Sequence, residues 1–272
     1  MSTISVLGSE IYYEVYGEGL PFLIIHGWGV NHHIMSGCLE PVLGESKHEI
    51  KRIYIDLPGM GKSKVGGNIK CSDEMLDVIL EFIDQIIPNQ RFILAGESYG
   101  GYLSRGLIQK RSEHILGVLL LCPAVYPGYR KGNVPPLQVI ERDNKFMESI
   151  DKDERAYFEN MNIVQNQRTW ELYKRDIVDV MSNDNHFLSE VLDGAFTYDV
   201  DKLEEPFNKP SLILVGRQDT EVGYKDQFTL LDNYPRASFV VLNKAGHNLQ
   251  IDQEELFCCV VKEWIDRVIM EL

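Results

Sequence analysis

Residues 91–101, RFILAGESYGG, constrain this chain more than any other stretch. Phe92, Ile93, Leu94 and Ala95 form a short apolar run of strand character that stops at Gly96-Glu97-Ser98-Tyr99-Gly100, and Tyr102, Leu103, Leu107 and Ile108 then recur at helical spacing. Where a strand turns into a helix within a few residues, neighbouring backbone passes too close for side chains on either side of the apex. Glycine fills both of those positions here. The expected unit is a strand, a sharp turn and a helix, with Ser98 raised at the apex.

Further apolar runs lie at 22–25, 50–55, 115–121, 211–215 and 237–242. Most are continuous rather than alternating, as expected of parallel strands covered by helices on both faces. Residues 4–7 and 11–16 flank Gly8-Ser9 and suggest an antiparallel start. Helices are expected at 71–87, 99–110, 225–233 and 254–270. The alternation breaks over residues 125–205, where about eighty residues carry no convincing buried strand, far longer than an ordinary connection. Helical spacing appears there around 139–147, 154–161, 169–181 and 188–192. The expected organisation is an α/β core of residues 1–124 and 206–272, with a mostly parallel sheet flanked by helices, and an inserted helical cap of residues 125–205.

A formal net charge of -14 disfavours nucleic acid and anionic membrane surfaces as partners. The five cysteines show no metal-type spacing, and their odd number argues against a complete disulfide framework. The first residues have neither the basic start nor the apolar centre of a secretory segment, and the run at 115–122 is too short to span a bilayer. A cytoplasmic location is expected. Oligomeric state is not legible.

An alcohol oxygen is a weak nucleophile, so Ser98 needs a base, and the base needs a third group to fix its tautomer. His247, in Asn243-Lys244-Ala245-Gly246-His247-Asn248, follows the run at 239–242. Asp219, in Gly216-Arg217-Gln218-Asp219, follows the run at 212–215. Taken singly, these residues read as a surface histidine and a turn or helix-cap aspartate. Together, serine, acid and histidine each follow a strand of one inferred sheet, at the edge where loops of open α/β sheets converge. Charge developing on a carbonyl oxygen also needs donors in place, and the backbone N–H groups of Trp28 and Tyr99 are the candidates. His26 reads as a brace of that loop, and the Trp28 indole as a pocket wall. The segment 56–63 contains Gly-Lys-Ser, but Asp56 occupies the place of the first glycine of a phosphate-binding loop.

The loop His26-Gly27-Trp28-Gly29, the segment 56–63, the pentapeptide 96–100, Asp219 and His247 together resemble the α/β-hydrolase superfamily over almost the entire chain. The resemblance implies Ser98 as nucleophile, His247 as general base and then acid, Asp219 as orienting carboxylate, and a helical lid at 125–205. Serine at position 98 disfavours the aspartate-nucleophile chemistry of haloalkane dehalogenases and epoxide hydrolases. No carboxylate stands at Leu121-Cys122-Pro123-Ala124, where some relatives place their acid. The loop at 26–29 also lacks the proline of iminopeptidase-like relatives.

The expected reaction is acyl transfer to water on a small to medium, partly apolar ester or related acyl compound, with no cofactor. Trp28, Tyr126, Phe146, Met147, Phe158 and Trp170 are the expected pocket residues, and Glu97 is expected to point away into a hydrogen-bonded position. A carbon–carbon bond hydrolase, a perhydrolase or haloperoxidase using the same serine, and a non-hydrolytic ligand receptor remain open alternatives.

Overall fold

Strands form where the apolar runs predict them. The structure, a computed structural model, describes residues 2–66, 69–125, 133–181, 183–193 and 199–272. Its strands are β1 (Ser2–Val6), β2 (Ser9–Tyr16), β3 (Leu20–Ile25), β4 (Ile50–Ile55), β5 (Phe92–Glu97), β6 (Ile115–Leu121), β7 (Glu141–Arg142), β8 (Val164–Gln165), β9 (Ser211–Gly216) and β10 (Ala237–Leu242). The helices are α1 (His33–Leu43), α2 (Ser72–Ile86), α3 (Tyr99–Arg111), α4 (Asn144–Ser149), α5 (Lys152–Met161), α6 (Gln167–Asp176), α7 (Asn185–Asp193), α8 (Leu249–Asp252) and α9 (Glu254–Met270). Eight strands make one sheet in the order β1-β2-β4-β3-β5-β6-β9-β10. β2 is antiparallel to β1 and β4, and the other pairings are parallel.

Successive side chains of a strand point to opposite faces, which divides the core in two. Leu23, Ile25, Ile53, Leu94 and Val118 pack with the apolar faces of α2 and α3. Phe22, Ile24, Tyr54, Ile93 and Leu119 pack with α1 and α9 on the other side. Helix α1 was not among the expected elements: it has no side-chain N-cap and contains Pro41, yet it buries Ile34, Met35, Cys38, Leu39 and Leu43. The helix expected at 225–233 is instead a 3-10 segment, Gln227–Asp232. At its start the amide and hydroxyl of Thr229 both donate to the Asp226 carbonyl, favouring the tighter i to i+3 bonding.

Between β6 and β9 the described residues hold α4 to α7, with two departures from the expected pattern. The first is that α6 stops at Asp176 and a 3-10 turn, Val178–Val180, follows it. The second is that residues 141–142 form β7, paired with β8, rather than helix. The reason is local: Asp143 caps α4 by accepting from the Phe146 N–H, so the helix begins only at Asn144. Asp151 caps α5, and Asn166 with Thr169 closes a reciprocal cap on α6. Phe158 stands 5.2 Å from Trp170 and 5.3 Å from Tyr173, ring to ring, and this cluster continues the α1 and α9 core.

Arg105 on α3 ties both ends of this segment to the sheet. Its fully buried guanidinium donates to the Ala124 carbonyl at 2.9 Å and to Asp201 Oδ1 at 2.7 Å.

Candidate active site

The turn at Ser98 is as sharp as its glycines suggest. A Cβ on Gly96 would lie 2.2 Å from the Gly100 carbonyl oxygen, and one on Gly100 would lie 2.4 Å from that of Ile25. Ser98 itself adopts φ 50 and ψ -113, a conformation that L-residues rarely hold. Surrounding bonds pin it there. Its N–H donates to the Leu121 carbonyl at 2.9 Å, and its own carbonyl accepts from Gly101, Tyr102 and Ala124.

The structure brings Ser98, His247 and Asp219 together from three strand ends. His247 Nε2 is 3.0 Å from Ser98 Oγ, and Nδ1 is 2.9 Å from Asp219 Oδ2. Asp219 Oδ1 accepts the N–H groups of Glu221 and Val222, which fixes the carboxylate and leaves Oδ2 for the histidine. In the neutral imidazole, Nδ1–H therefore donates to Asp219, and Nε2 is free to accept the Ser98 hydroxyl proton. Burial alone pulls the His247 imidazole down, but Asp219, through charge and hydrogen bond, and Glu97 outweigh it, raising it to about 9.

Glu97 does not point away from the site. Its Oε1 lies 3.5 Å from His247 Nε2, and its buried Oε2, against the backbone of Gly27, makes no well-formed hydrogen bond. Orientation at this position depends on Gly27, where a Cβ would lie 2.2 Å from Glu97 Oε2. Burial, reinforced by Asp219, pushes the Glu97 carboxyl up to about 7 against the opposing pull of His247 and the Gly27 amide.

The 26–29 loop runs against the serine, since a Cβ on Gly27 would also come within 3.1 Å of the Ser98 Cβ. His26 braces this loop: Nδ1 is 2.7 Å from the Gly27 carbonyl oxygen and Nε2 accepts the Leu57 N–H at 2.9 Å. Burial pulls His26 down to about 4, so it is a neutral strut. The Trp28 indole meets the Tyr99 ring edge-on at 4.9 Å, and Tyr99 reaches the Ser72 hydroxyl at 2.8 Å. Tyr99 opens α3 directly after the serine.

Of the expected pocket residues, Trp28 and Phe146 are half-buried, and Tyr126 lies outside the described residues. Met147 and Phe158 are fully buried and Trp170 nearly so, packed against one another, so they offer a ligand no free face. The helical spacing that singled them out marks the side that helices of this segment turn toward each other. A cleft of about 270 Å³ is lined by residues 133–136, Gln138, Arg217, Gln218, Tyr224 and Lys225, and neither Ser98, His247 nor Asp219 lines it.

Several residues around the site carry no sequence signal. Cys122, at φ 40, follows β6, and its thiol groups with Asp219 and His247 within 4.8 Å. This is the one grouping of metal-ligand type among the described residues, but burial raises the thiol well above its ordinary value and holds it neutral, while the His247–Asp219 bond already uses the two other ligands. Asp252 joins the histidine loop to the 163–164 segment. It accepts Gly246 N–H at 2.8 Å on one oxygen and the Ile163 and Val164 N–H groups on the other. Asn248 adds a bond to Asn162 at 2.8 Å.

A sequence profile described as the alpha/beta hydrolase fold matches residues 21–254. The chain is 24% identical over 264 residues to a pimeloyl-[acyl-carrier protein] methyl ester esterase of Legionella pneumophila, covering 94% of this chain and 99% of that protein. It is 23% identical over 289 residues to a proline iminopeptidase of Saccharolobus solfataricus, covering 97% and 91% respectively. Among solved structures, an alpha/beta superfamily hydrolase from Oenococcus oeni PSU-1 superposes with a TM-score of 0.87 at 29% identity, covering 98% of this chain and 99% of that one.

Proposed function

The chain belongs to the α/β hydrolase fold family and is a hydrolase of the carboxylesterase type, and we infer that it cleaves a small to medium, partly apolar carboxylic ester through Ser98, His247 and Asp219. One observation carries this reading: the continuous contact from Ser98 Oγ through His247 to Asp219, at 3.0 and 2.9 Å. Ser98 attacks the substrate carbonyl while its proton passes to His247 Nε2. The carbonyl oxygen takes up the charge and receives the N–H groups of Trp28 and Tyr99. Collapse expels the alcohol, which takes the proton from Nε2 and leaves an acyl-enzyme; water activated by the same histidine then releases the acid.

An ester is favoured over a peptide-like amide. The Legionella relative is named for a methyl ester, whereas the loop at 26–29 lacks the proline noted above. Residues 125–205 serve as the cap over a core of 1–124 and 206–272. The charge of -14 and the free cysteines fit a cytoplasmic small-molecule enzyme rather than a nucleic-acid binder.

The test is hydrolysis of chromogenic esters of graded acyl length, alongside labelling by a fluorophosphonate. Ser98→Ala should abolish labelling and lower turnover by about a million-fold, and retention of most activity would refute the assignment.

A further inference from the structure

Two buried carboxylates flank one imidazole. Asp219 meets Nδ1 at 2.9 Å, and Glu97 approaches the opposite nitrogen, Nε2, at 3.5 Å. Glu97 is only 2% exposed, and apart from the pull of the Gly27 amide its Oε2 makes no well-formed hydrogen bond, so little besides His247 compensates it. A carboxylate without such compensation is costly to bury, and an ordinary packing role is met at lower cost by an apolar or amide side chain. The space it fills exists because residue 27 is glycine, whose backbone lies directly over the carboxylate.

We propose that Glu97 is a positioning residue for His247, a second carboxylate that holds the proton given up by Ser98 on the Nε2 edge of the imidazole. The inference rests on the acyl-transfer reading above. In that step the Ser98 O–H bond breaks, an Nε2–H bond forms, Oγ bonds to the substrate carbonyl carbon, and the carbonyl electron pair moves to oxygen. Glu97 takes no proton from the exchange. It places negative charge beside the imidazolium at the nitrogen where the new N–H appears, while Asp219 does so at the other.

This arrangement has a consequence for the resting enzyme. A charged Glu97 makes His247 keep its proton to higher pH, so fewer molecules hold the unprotonated base at neutral pH. The charged and titratable groups facing the pair are Asp219 and Glu221 beyond β9, Cys122 beyond β6 and Cys38 on α1. Both thiols are buried and raised, and therefore neutral. The acids remain in every variant of Glu97, so a difference between variants reports Glu97 itself.

The experiment is an NMR titration of the His247 ring in the full-length protein, identified by its loss in His247→Gln, for wild type, Glu97→Gln and Glu97→Asp. The isosteric amide should lower the His247 midpoint by one pH unit or more, a tenfold or greater rise in the ratio of unprotonated to protonated imidazole at any fixed pH. Aspartate keeps the charge but withdraws it by one methylene, and its midpoint should lie between the other two. The acid limb of kcat/KM for the best ester should follow the same order, with the plateau kcat of Glu97→Gln about tenfold lower and KM within twofold. An unchanged midpoint in Glu97→Gln, or an aspartate variant indistinguishable from it, overturns the inference. The ring titration needs no turnover: a shifted midpoint in a protein without Ser98-dependent esterase activity would sink the functional reading and leave the Glu97–His247 coupling standing.

Discussion

Arg105→Met removes the guanidinium while keeping most of the side-chain volume, so it separates the loss of polar contacts from the opening of a cavity. In the native protein this group is fully buried and donates to Asp201 Oδ1 at 2.7 Å and to the Ala124 carbonyl at 2.9 Å, with longer contacts to Gly101 and Val125. Removing one member of a buried ion pair costs about 3–5 kcal/mol because the other charge is stranded. The Asp201 side chain is 27% exposed, so water recovers part of that cost, and the lower end, about 3 kcal/mol, is expected. At about 2–4 °C per kcal/mol for a domain somewhat smaller than this one, the melting midpoint should fall by roughly 6–12 °C. Adding Asp201→Leu removes the stranded carboxylate and should return more than half of the loss. Differential scanning calorimetry reads both. A single variant melting within about 2 °C of wild type, or a double variant no more stable than the single one, would refute the reasoning.

Ser98→Gly should melt higher than Ser98→Ala, since only glycine adopts φ 50, ψ -113 without strain; an advantage of about 1 kcal/mol is expected after its greater unfolded-state freedom is allowed for, and equal melting temperatures would contradict it. Asp252 is raised by burial from 3.8 to about 7, so the stability it lends is complete below its ordinary value and is lost as pH rises through about 7. Between pH 5 and pH 7 the stability of Asp252→Asn should therefore fall less steeply than that of wild type, by about 1 kcal/mol per pH unit in urea titrations, and parallel slopes would argue against the assignment.

What the sequence discloses and what it conceals follow from how local each feature is. The turn around Ser98 is legible because backbone crowding at Gly96 and Gly100 is decided within five residues. Asp219 and His247 are legible because each stands just beyond an apolar run that becomes a sheet strand. The direction of Glu97 is not, since it is settled by the absence of a side chain at Gly27, on another strand's loop. Helix α1 escapes notice because packing rather than a cap or an uninterrupted helical sequence sustains it. Met147 and Phe158 show the same limit from the other side: periodicity marks an apolar stripe but not whether a ligand or a neighbouring helix covers it.

β6 and β9 are hydrogen-bonded neighbours although residues 122–210 separate them in the chain. The intervening stretch thus departs from the sheet and rejoins it at adjacent positions, like a loop of rope clipped at a single carabiner. Doubling its length would add only about 0.6 kcal/mol to the entropy of closing that loop, and no strand would have to change register. Evolution can therefore enlarge, shorten or exchange whatever stands above the carboxyl edge while the floor beneath it stays as it is.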